Sequence, residues 1–129
     1  MQLTPLDEAI QQAIHAPKGS VILADGADAP SGGAPGDSNT ILRELLNKQT
    51  NVKILINIVD PEAVDIAIKA GVGNDVTVTV GRETPVQVTG KVRLVSDGIL
   101  IFTGAGYLRL ATLNIRLLDS VILHTITSY

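Results

Sequence analysis

The spacing of apolar residues changes abruptly near Gly81, and this change constrains the fold more than any other feature. Before Gly81, apolar residues recur at helical spacing or form short runs, whereas after it β-branched runs separated by turn residues take over. Helical spacing is typical of amphipathic helices, and short or alternating runs are typical of strands. A chain of 129 residues fits one domain with one core. The sequence therefore predicts a single domain, residues 1–129, whose α/β subregion (1–81) and β-rich subregion (82–129) share a core.

Three amphipathic helices are predicted in the first half. Each is preceded by a side chain that can accept a hydrogen bond from a first-turn N–H group. These predicted caps are Thr4, Asp37 or Ser38, and Asp60. The first helix is expected to end at Ala16, and Gly71 is expected to end the third.

The strands of the first half are predicted from three apolar segments. Residues 20–24 and 52–59 are nearly continuous apolar runs, the pattern of strands buried on both faces. Residues 76–80 alternate valine with threonine, which indicates a strand with one buried face. The first half is therefore expected to be αβαβαβ with a largely parallel sheet, in which 20–24 is a central strand.

The second half predicts only strands. Its β-branched runs cover 86–95, 99–103, 108–117 and 121–127, with turn residues at 96–98 and 118–120. Short connections of this kind join antiparallel neighbours. The predicted fold class is thus α/β, with an all-β second half of antiparallel strands.

Composition and charge exclude several classes of function. The net charge is -3, and one Phe, two Tyr and no Trp leave no aromatic platform for nucleic-acid bases. The chain has no Cys, which excludes disulfides and thiolate zinc sites. Its apolar runs are far shorter than the roughly 20 residues that a membrane helix needs. We therefore expect a cytoplasmic protein that binds neither nucleic acid nor membrane.

The most informative segment is a glycine-rich loop at 26–36, between a predicted strand and a predicted helix. Unpaired N–H groups at a helix start favour anions, but Asp37 stands where a phosphate-binding loop needs Lys. The alternative is a turn that lets strand and helix pack closely, with Asp37 as the cap. Asp25, Asp28 and Asp37 could also bind Mg²⁺ or Ca²⁺ together, or simply be solvated. The two histidines, His15 and His124, share no ligand spacing, so no catalytic residue is identified in this chain.

The run from Asp25 to Ser38, DGADAPSGGAPGDS, resembles the D-x-x-D-N-P-G-G-G-x-P-G-D-S/T signature of the carboxy-terminal domain of the microcystin-degradation protein MlrC family. Ala29 and Ser31 depart from that signature. The resemblance extends to Asp60-Pro61-Glu62-Ala63-Val64 and Val88-Thr89-Gly90-Lys91-Val92. Family members resemble zinc-dependent hydrolases of amide bonds whose metal ligands lie in an amino-terminal domain. The substrate-binding candidates that the signature implies are Asp28, Ser31, Gly32, Gly33, Gly36, Asp37 and Ser38.

The resemblance implies an accessory domain that completes a substrate cleft for a small peptide or amide through its glycine-rich loop. Its partner would be the amino-terminal metal-binding domain, with zinc in the complete enzyme and no metal site or catalysis in this chain alone. The alternative is an independent module that binds a small ligand through the same loop, or that forms a homo-oligomer through its β-rich half.

Overall fold

The computed structural model describes residues 3–48, 50–96, 99–101, 107–117 and 121–128, and side chains as far as Val95 except that of Ser31. Within these residues the chain forms three α-helices and six β-strands. The helices are α1 (Leu6–Ile14), α2 (Thr40–Asn47) and α3 (Pro61–Ala70). The strands are β1 (Ile54–Val59), β2 (Asp75–Val80), β3 (Val86–Ser96), β4 (Ile99–Ile101), β5 (Tyr107–Leu117) and β6 (Val121–Ser128).

The strands form one mixed sheet. Its order is β1-β6-β5-β3-β2, with β4 paired to β5. β1 runs parallel to β6, from Ile54 opposite Val121 to Val59 opposite Ile126. The other described pairings, β2 with β3, β3 with β5, β4 with β5 and β5 with β6, are antiparallel.

The predicted fold class is wrong. A largely parallel first-half sheet requires that β1 and β2 lie close together in it, whereas they occupy opposite edges of the sheet. The strands after Gly81 do not form an antiparallel half of their own either, because β6 runs parallel to β1 and β3 pairs with β2. The reason is that apolar periodicity indicates which face of a strand is buried. Strands pair through backbone hydrogen bonds, which are the same for every side chain, so the periodicity does not indicate which strands are neighbours.

Two strand predictions from continuous apolar runs need correction. Residues 20–24 form neither helix nor strand, and Ile22 is 91% exposed. The run at 52–59 does form a strand, β1, but this is an edge strand in which Leu55 is 64% exposed. Both runs have the pattern of strands buried on two faces, yet this chain's own sheet buries only one face of β1 and none of 20–24.

The third helix begins and ends as predicted. Asp60 is its N-cap, and the Asp60 Oδ1 accepts a hydrogen bond from the backbone N–H of Ala63 at 3.0 Å. Pro61 occupies the first turn, where its missing N–H costs no hydrogen bond. Gly71 follows the last helical residue with φ +82°. α3 then packs against β2, β3, β5 and β6.

The core lies between α3 and the sheet and reaches α2. Its fully or nearly buried residues are Leu42, Ile58, Ala63, Val64, Ala67, Val76, Val78, Val80, Val88 and Val92. The buried valines of β2 alternate with exposed Thr77 and Thr79, which confirms a strand with one buried face. Burial of each valine side chain contributes about 1.5–3 kcal/mol to folding, so these strands and α3 stabilise one another.

The first helix packs on the second, where Lys48 forms an ion pair with Asp7. Its N-cap is Pro5 rather than Thr4, and it ends at Ile14, before the predicted Ala16. No helix in the described part of the chain is both long and apolar enough to cross a membrane.

Candidate substrate-binding site

Two aspartates organise the loop at 25–38. The Asp25 Oδ1 accepts hydrogen bonds from the N–H groups of Ala27 and Asp28, at 2.9 and 3.3 Å. The Asp28 Oδ1 accepts from Gly36 N at 2.8 Å, and its Oδ2 accepts from Ser38 N at 2.7 Å. The carboxylate of Asp28 therefore closes the loop by joining its beginning to its end.

Replacing Asp28 with alanine is expected to destabilise the chain by about 2–3 kcal/mol. Hydrogen bonds to a charged acceptor contribute about 1.5–3 kcal/mol each, and water replaces part of this loss because Asp28 is only half-buried. Urea unfolding measures the change. Asp65→Ala, at an exposed position on α3, is the matched control and should stay within about 0.5 kcal/mol. Equal losses in the two variants would contradict the closing role.

The glycines of the loop differ in their surroundings. Pro30–Gly32 forms a single 3-10 turn, and Gly33 follows it with φ +90°. Gly32 and Gly33 are exposed, and a Cβ at either position would meet no atom within 4 Å. This part of the loop therefore presents bare backbone that another molecule can approach.

Gly36, by contrast, is buried. Its φ is +74°, and a Cβ there would lie 2.6 Å from the Cγ of Pro30 and 2.9 Å from a methyl carbon of Val59. Its carbonyl accepts a hydrogen bond from Val59 N at 2.7 Å. Gly36 therefore fastens the loop to the end of β1, and packing alone explains why glycine stands there.

Asp37 is not a helix cap. α2 begins at Thr40, its N-cap is Asn39, and no side chain there makes the capping hydrogen bond. The hydroxyl of Ser38 lies near the helix start and accepts from Thr40 N at 3.3 Å. Asp37 turns instead towards the segment after β2, where its Oδ2 lies 3.4 Å from Nη1 of Arg82. Of the two predicted caps, Asp37 is wrong because it lies two residues before the N-cap position, Asn39, whereas the Ser38 hydroxyl does accept from a first-turn N–H group.

Asn39 holds that segment in place, which the sequence did not reveal. Its side chain is 3% exposed, and its Nδ2 donates to the carbonyls of Val80 and Thr84 at 2.8 and 2.7 Å. Arg43 adds a hydrogen bond from Nη1 to the Thr84 hydroxyl at 2.9 Å. An Asn before a helix normally indicates a cap. The sequence around Asn39 therefore did not indicate hydrogen bonds to Val80 and Thr84, which lie more than 40 residues later.

An open groove of about 530 Å³ lies where the loop, the start of α3 and the end of β2 meet. Three carboxylates line it, from Asp37, Asp60 and Glu62, together with the guanidinium of Arg82. Thr77 and Thr79 add hydroxyl groups. The Asp60 Oδ2 also accepts a long hydrogen bond, 3.4 Å, from Gly81 N, which links the ends of β1 and β2. Such a surface can bind N–H, ammonium and carbonyl groups at once.

The predicted site residues thus separate by role. Asp37 lines the groove, whereas Asp28 and Gly36 hold the loop. Ser38 donates its backbone N–H to the Asp28 carboxylate, and its hydroxyl accepts from the N–H of Thr40 at the start of α2. The side chain of Ser31 lies outside the described residues. Arg82 was missed, because it follows β2 in a turn with no motif.

The described residues offer no metal site. Among them, no three His, Cys, Asp or Glu side chains are grouped so that they could hold a metal ion, and this includes Asp25, Asp28 and Asp37. His15 is exposed with its Nδ1 2.8 Å from the Gln11 carbonyl, and the side chain of His124 lies outside the described part.

The family model described as MlrC C-terminus matches residues 23–127, most of the chain. The chain belongs to this family. The predicted resemblance is therefore confirmed, and the loop with its groove lies inside the matched range.

Two longer proteins resemble this MlrC C-terminus domain. Microcystinase C of a Sphingomonas sp. is 33% identical over 85 residues, which cover 61% of this chain and 17% of that protein. The crystal structure of a candidate metallopeptidase from Mesorhizobium sp. BNC1 has a TM-score of 0.81 at 24% identity, and the likeness covers 99% of this chain and 28% of that one. The second likeness shows a shared fold. This chain spans well under a third of either relative.

Proposed function

We propose that this chain is the accessory carboxy-terminal domain of a metal-dependent amide or peptide hydrolase, and that it completes the substrate cleft without being catalytic alone. Family membership supports the association with a hydrolase, since one relative is a microcystinase and the other a candidate metallopeptidase. The small share of each relative that is matched supports a role beside a larger region.

The observation that carries the proposal is the groove beside the glycine-rich loop. A peptide offers N–H, carbonyl and charged terminal groups, and the groove presents acceptors in Asp37, Asp60 and Glu62 and a donor in Arg82. Asp37 has the greatest weight, because its side chain is only 28% exposed and its charge is less screened than a fully exposed one. In the proposed cleft Asp37 orients a substrate N–H or ammonium group, and Arg82 holds a carbonyl or carboxylate.

The metal of the complete enzyme, for which we propose zinc, is held by the amino-terminal region. The described residues of this chain do not fit a zinc site, because they group no three ligands and the sequence contains no Cys. The contribution of this chain is therefore to bind and orient the substrate.

The proposal is tested with Asp37→Ser in the protein that includes the metal-holding region. Stability is expected to change by less than about 1 kcal/mol, because the Asp37–Arg82 pair is largely exposed on its Arg82 side. Hydrolysis of a linear peptide is expected to fall at least about tenfold, which corresponds to about 1.4 kcal/mol of lost transition-state stabilisation. Thermal unfolding and kcat/KM are measured on the same preparations.

Two controls sharpen this experiment. Asp65→Ser removes a carboxylate from the exposed side of α3 and should change neither quantity. Arg82→Ala removes both the partner of Asp37 and the proposed contact to a substrate carbonyl or carboxylate, so hydrolysis that persists in this variant shows that Asp37 acts without either. Unchanged hydrolysis in Asp37→Ser would reduce Asp37 to the partner of Arg82 and remove this residue from the proposed cleft.

An independent small-ligand module is the second candidate, and one observation favours it: an acceptor and a donor for the same ligand, Asp37 and Arg82, already lie 3.4 Å apart at the groove. Calorimetric titration of the isolated chain with a short linear peptide separates the two. Binding as tight as that of the longer protein favours the independent module, whereas binding that needs the amino-terminal region favours the accessory domain. The oligomerisation alternative stays a prediction, since side chains from Ser96 onward lie outside the described residues.

A further inference from the structure

The segment at 20–24, Ser-Val-Ile-Leu-Ala, is the most exposed apolar stretch that the structure describes. Val21, Ile22 and Leu23 are 48%, 91% and 44% exposed, and the segment carries no charge. Single exposed apolar residues are ordinary, but contiguous ones mark a contact surface. Because these apolar residues are consecutive in the sequence, a partner that covers their side chains also lies beside the backbone of the segment.

The backbone of this segment is also unused by the sheet. Residues 20–24 belong to no described strand, and both edges of the sheet are formed by other segments, β1 and β2. Val and Ile favour strands because their branched side chains pack well on a pleated surface. Successive side chains of a strand point to opposite faces, so Ile22 would face away from Val21 and Leu23, with both faces apolar. That is the pattern of a strand inserted in a sheet and covered on each side.

The occupant is indicated by the length of the relatives and by the position of the segment. The likeness covers 28% of the Mesorhizobium protein, and the family is defined as a carboxy terminus, so a larger region precedes it there. The segment runs directly into the loop at 25–38, which is proposed to face that region. We propose that residues 20–24 add as a β-strand to an open sheet edge of the amino-terminal, metal-holding region. This rests on the proposed function and specifies how the two parts join.

Amide hydrogen exchange tests the pairing directly. The probe is the separately produced amino-terminal region of the Mesorhizobium metallopeptidase, mixed with this chain. Strand addition places backbone N–H groups in inter-strand hydrogen bonds. Because successive N–H groups point to opposite sides of a strand, exchange either at Ile22 or at both Val21 and Leu23 should slow at least about tenfold on mixing. No slowing at these amides in the mixture overturns the proposal.

Substitutions then separate backbone pairing from side-chain contact. Ile22→Asp charges an apolar face and should weaken binding of the amino-terminal region at least about tenfold. Ile22→Pro removes an N–H donor and should weaken binding to the same extent if the Ile22 amide is the one whose exchange slows. Val72→Asp is the matched control, because Val72 is also an exposed apolar residue, at 60%, but lies outside the segment. Equal weakening by the variants at the two positions, or none by either variant of Ile22, contradicts strand addition.

Hydrolysis measured on the same mixtures distinguishes this inference from the proposed function. Slowed exchange at 21–23 without hydrolysis leaves the strand addition standing and counts against the accessory role. Hydrolysis without slowed exchange overturns the strand addition alone. If exchange slows in the isolated chain as its concentration rises, a second copy occupies the segment, and the amino-terminal region is the wrong partner.

Discussion

Replacing Gly81 with alanine is expected to destabilise this chain by about 3–5 kcal/mol, the largest effect of any single substitution considered. Gly81 has φ +91°, and a Cβ there would overlap the side-chain amide of buried Asn39. The backbone conformation alone costs an L-residue about 1–2 kcal/mol. Moving Asn39 breaks its bonds to the carbonyls of Val80 and Thr84, and each buried group left unpaired costs about 1–3 kcal/mol. Equilibrium unfolding in urea measures the total.

Gly73→Ala is the matched control. Gly73 has almost the same φ, +90°, but a Cβ there would meet nothing within 4 Å. It should therefore cost only the conformational part, about 1–2 kcal/mol, and the difference from Gly81→Ala isolates the contact with Asn39. The double variant Asn39→Ala, Gly81→Ala should lose less than the sum of the single variants, because the alanine at 39 leaves room for the new Cβ. Equal losses at Gly73 and Gly81 would show that Asn39 is not the cause.

This contact matters for the groove as well as for stability. Asn39 fixes the segment after β2, and Arg82 follows Gly81 directly in that segment. The distance between Arg82 and Asp37 is therefore set by a buried amide and a glycine rather than by the ion pair itself. Exposed ion pairs contribute about 0–1 kcal/mol, too little to hold two loops together.

The presence of three helices and both ends of α3 could be predicted from the sequence, because helix signals are local, whereas the caps expected at Thr4 and Asp37 were wrong. Asp60 bonds to an N–H three residues away, and Gly71 ends the same helix. The alternation in β2 is equally local and was also confirmed. Each of these patterns relates residues within one element, so no knowledge of the remaining chain was needed.

The strand order could not be predicted, because it depends on pairings between distant segments. Val59 lies opposite Ile126 in the only parallel pairing that the structure describes, and nothing in either sequence segment specifies the other. For the run at 20–24 the difficulty is that the predicted strand has no partner among the described strands. Its pattern predicts burial, yet no described strand of this chain pairs with it. An apolar run indicates that burial of its side chains is favourable. It does not indicate whether the residues that bury them belong to the same chain or to another one.

The substrate-binding role of the candidate residues stays a prediction, and the structure shows only where they lie. Asp37 was selected as both a helix cap and a functional residue; the cap is absent, while the side chain does line the groove. Arg82 could not be selected, since a lone Arg after a strand has no distinguishing context. Asn39 was hidden because its bonds reach across the fold to the carbonyls of Val80 and Thr84.

The second large effect is expected from Gly36→Ala, which should destabilise the chain by about 2–4 kcal/mol. The new Cβ would crowd Pro30 and Val59, at 2.6 and 2.9 Å, in a residue whose φ is +74°. The positive φ costs an alanine about 1–2 kcal/mol of folding free energy. Overpacking against Pro30 and Val59 adds about 1–3 kcal/mol, and a shift of the Pro30 ring reduces this second cost. The shift also strains two hydrogen bonds, from Gly36 N to Asp28 and from Val59 N to the Gly36 carbonyl. Urea unfolding of the isolated chain gives the stability.

Gly33→Ala separates a ligand contact from this structural effect, because Gly33 shares the positive φ but has open space around it. Its stability loss should be only about 1–2 kcal/mol. If substrate approaches the bare backbone of the loop, Gly33→Ala lowers kcat/KM of the complete enzyme at temperatures where the variant is fully folded, since the new methyl group occupies the approach. Gly36→Ala, whose Cβ points into the packed interior, lowers hydrolysis only to the extent that the loop is displaced. A Gly33 variant with unchanged kcat/KM would mean that the exposed glycines serve the turn alone, and the proposed cleft would then depend on Asp37 and Arg82.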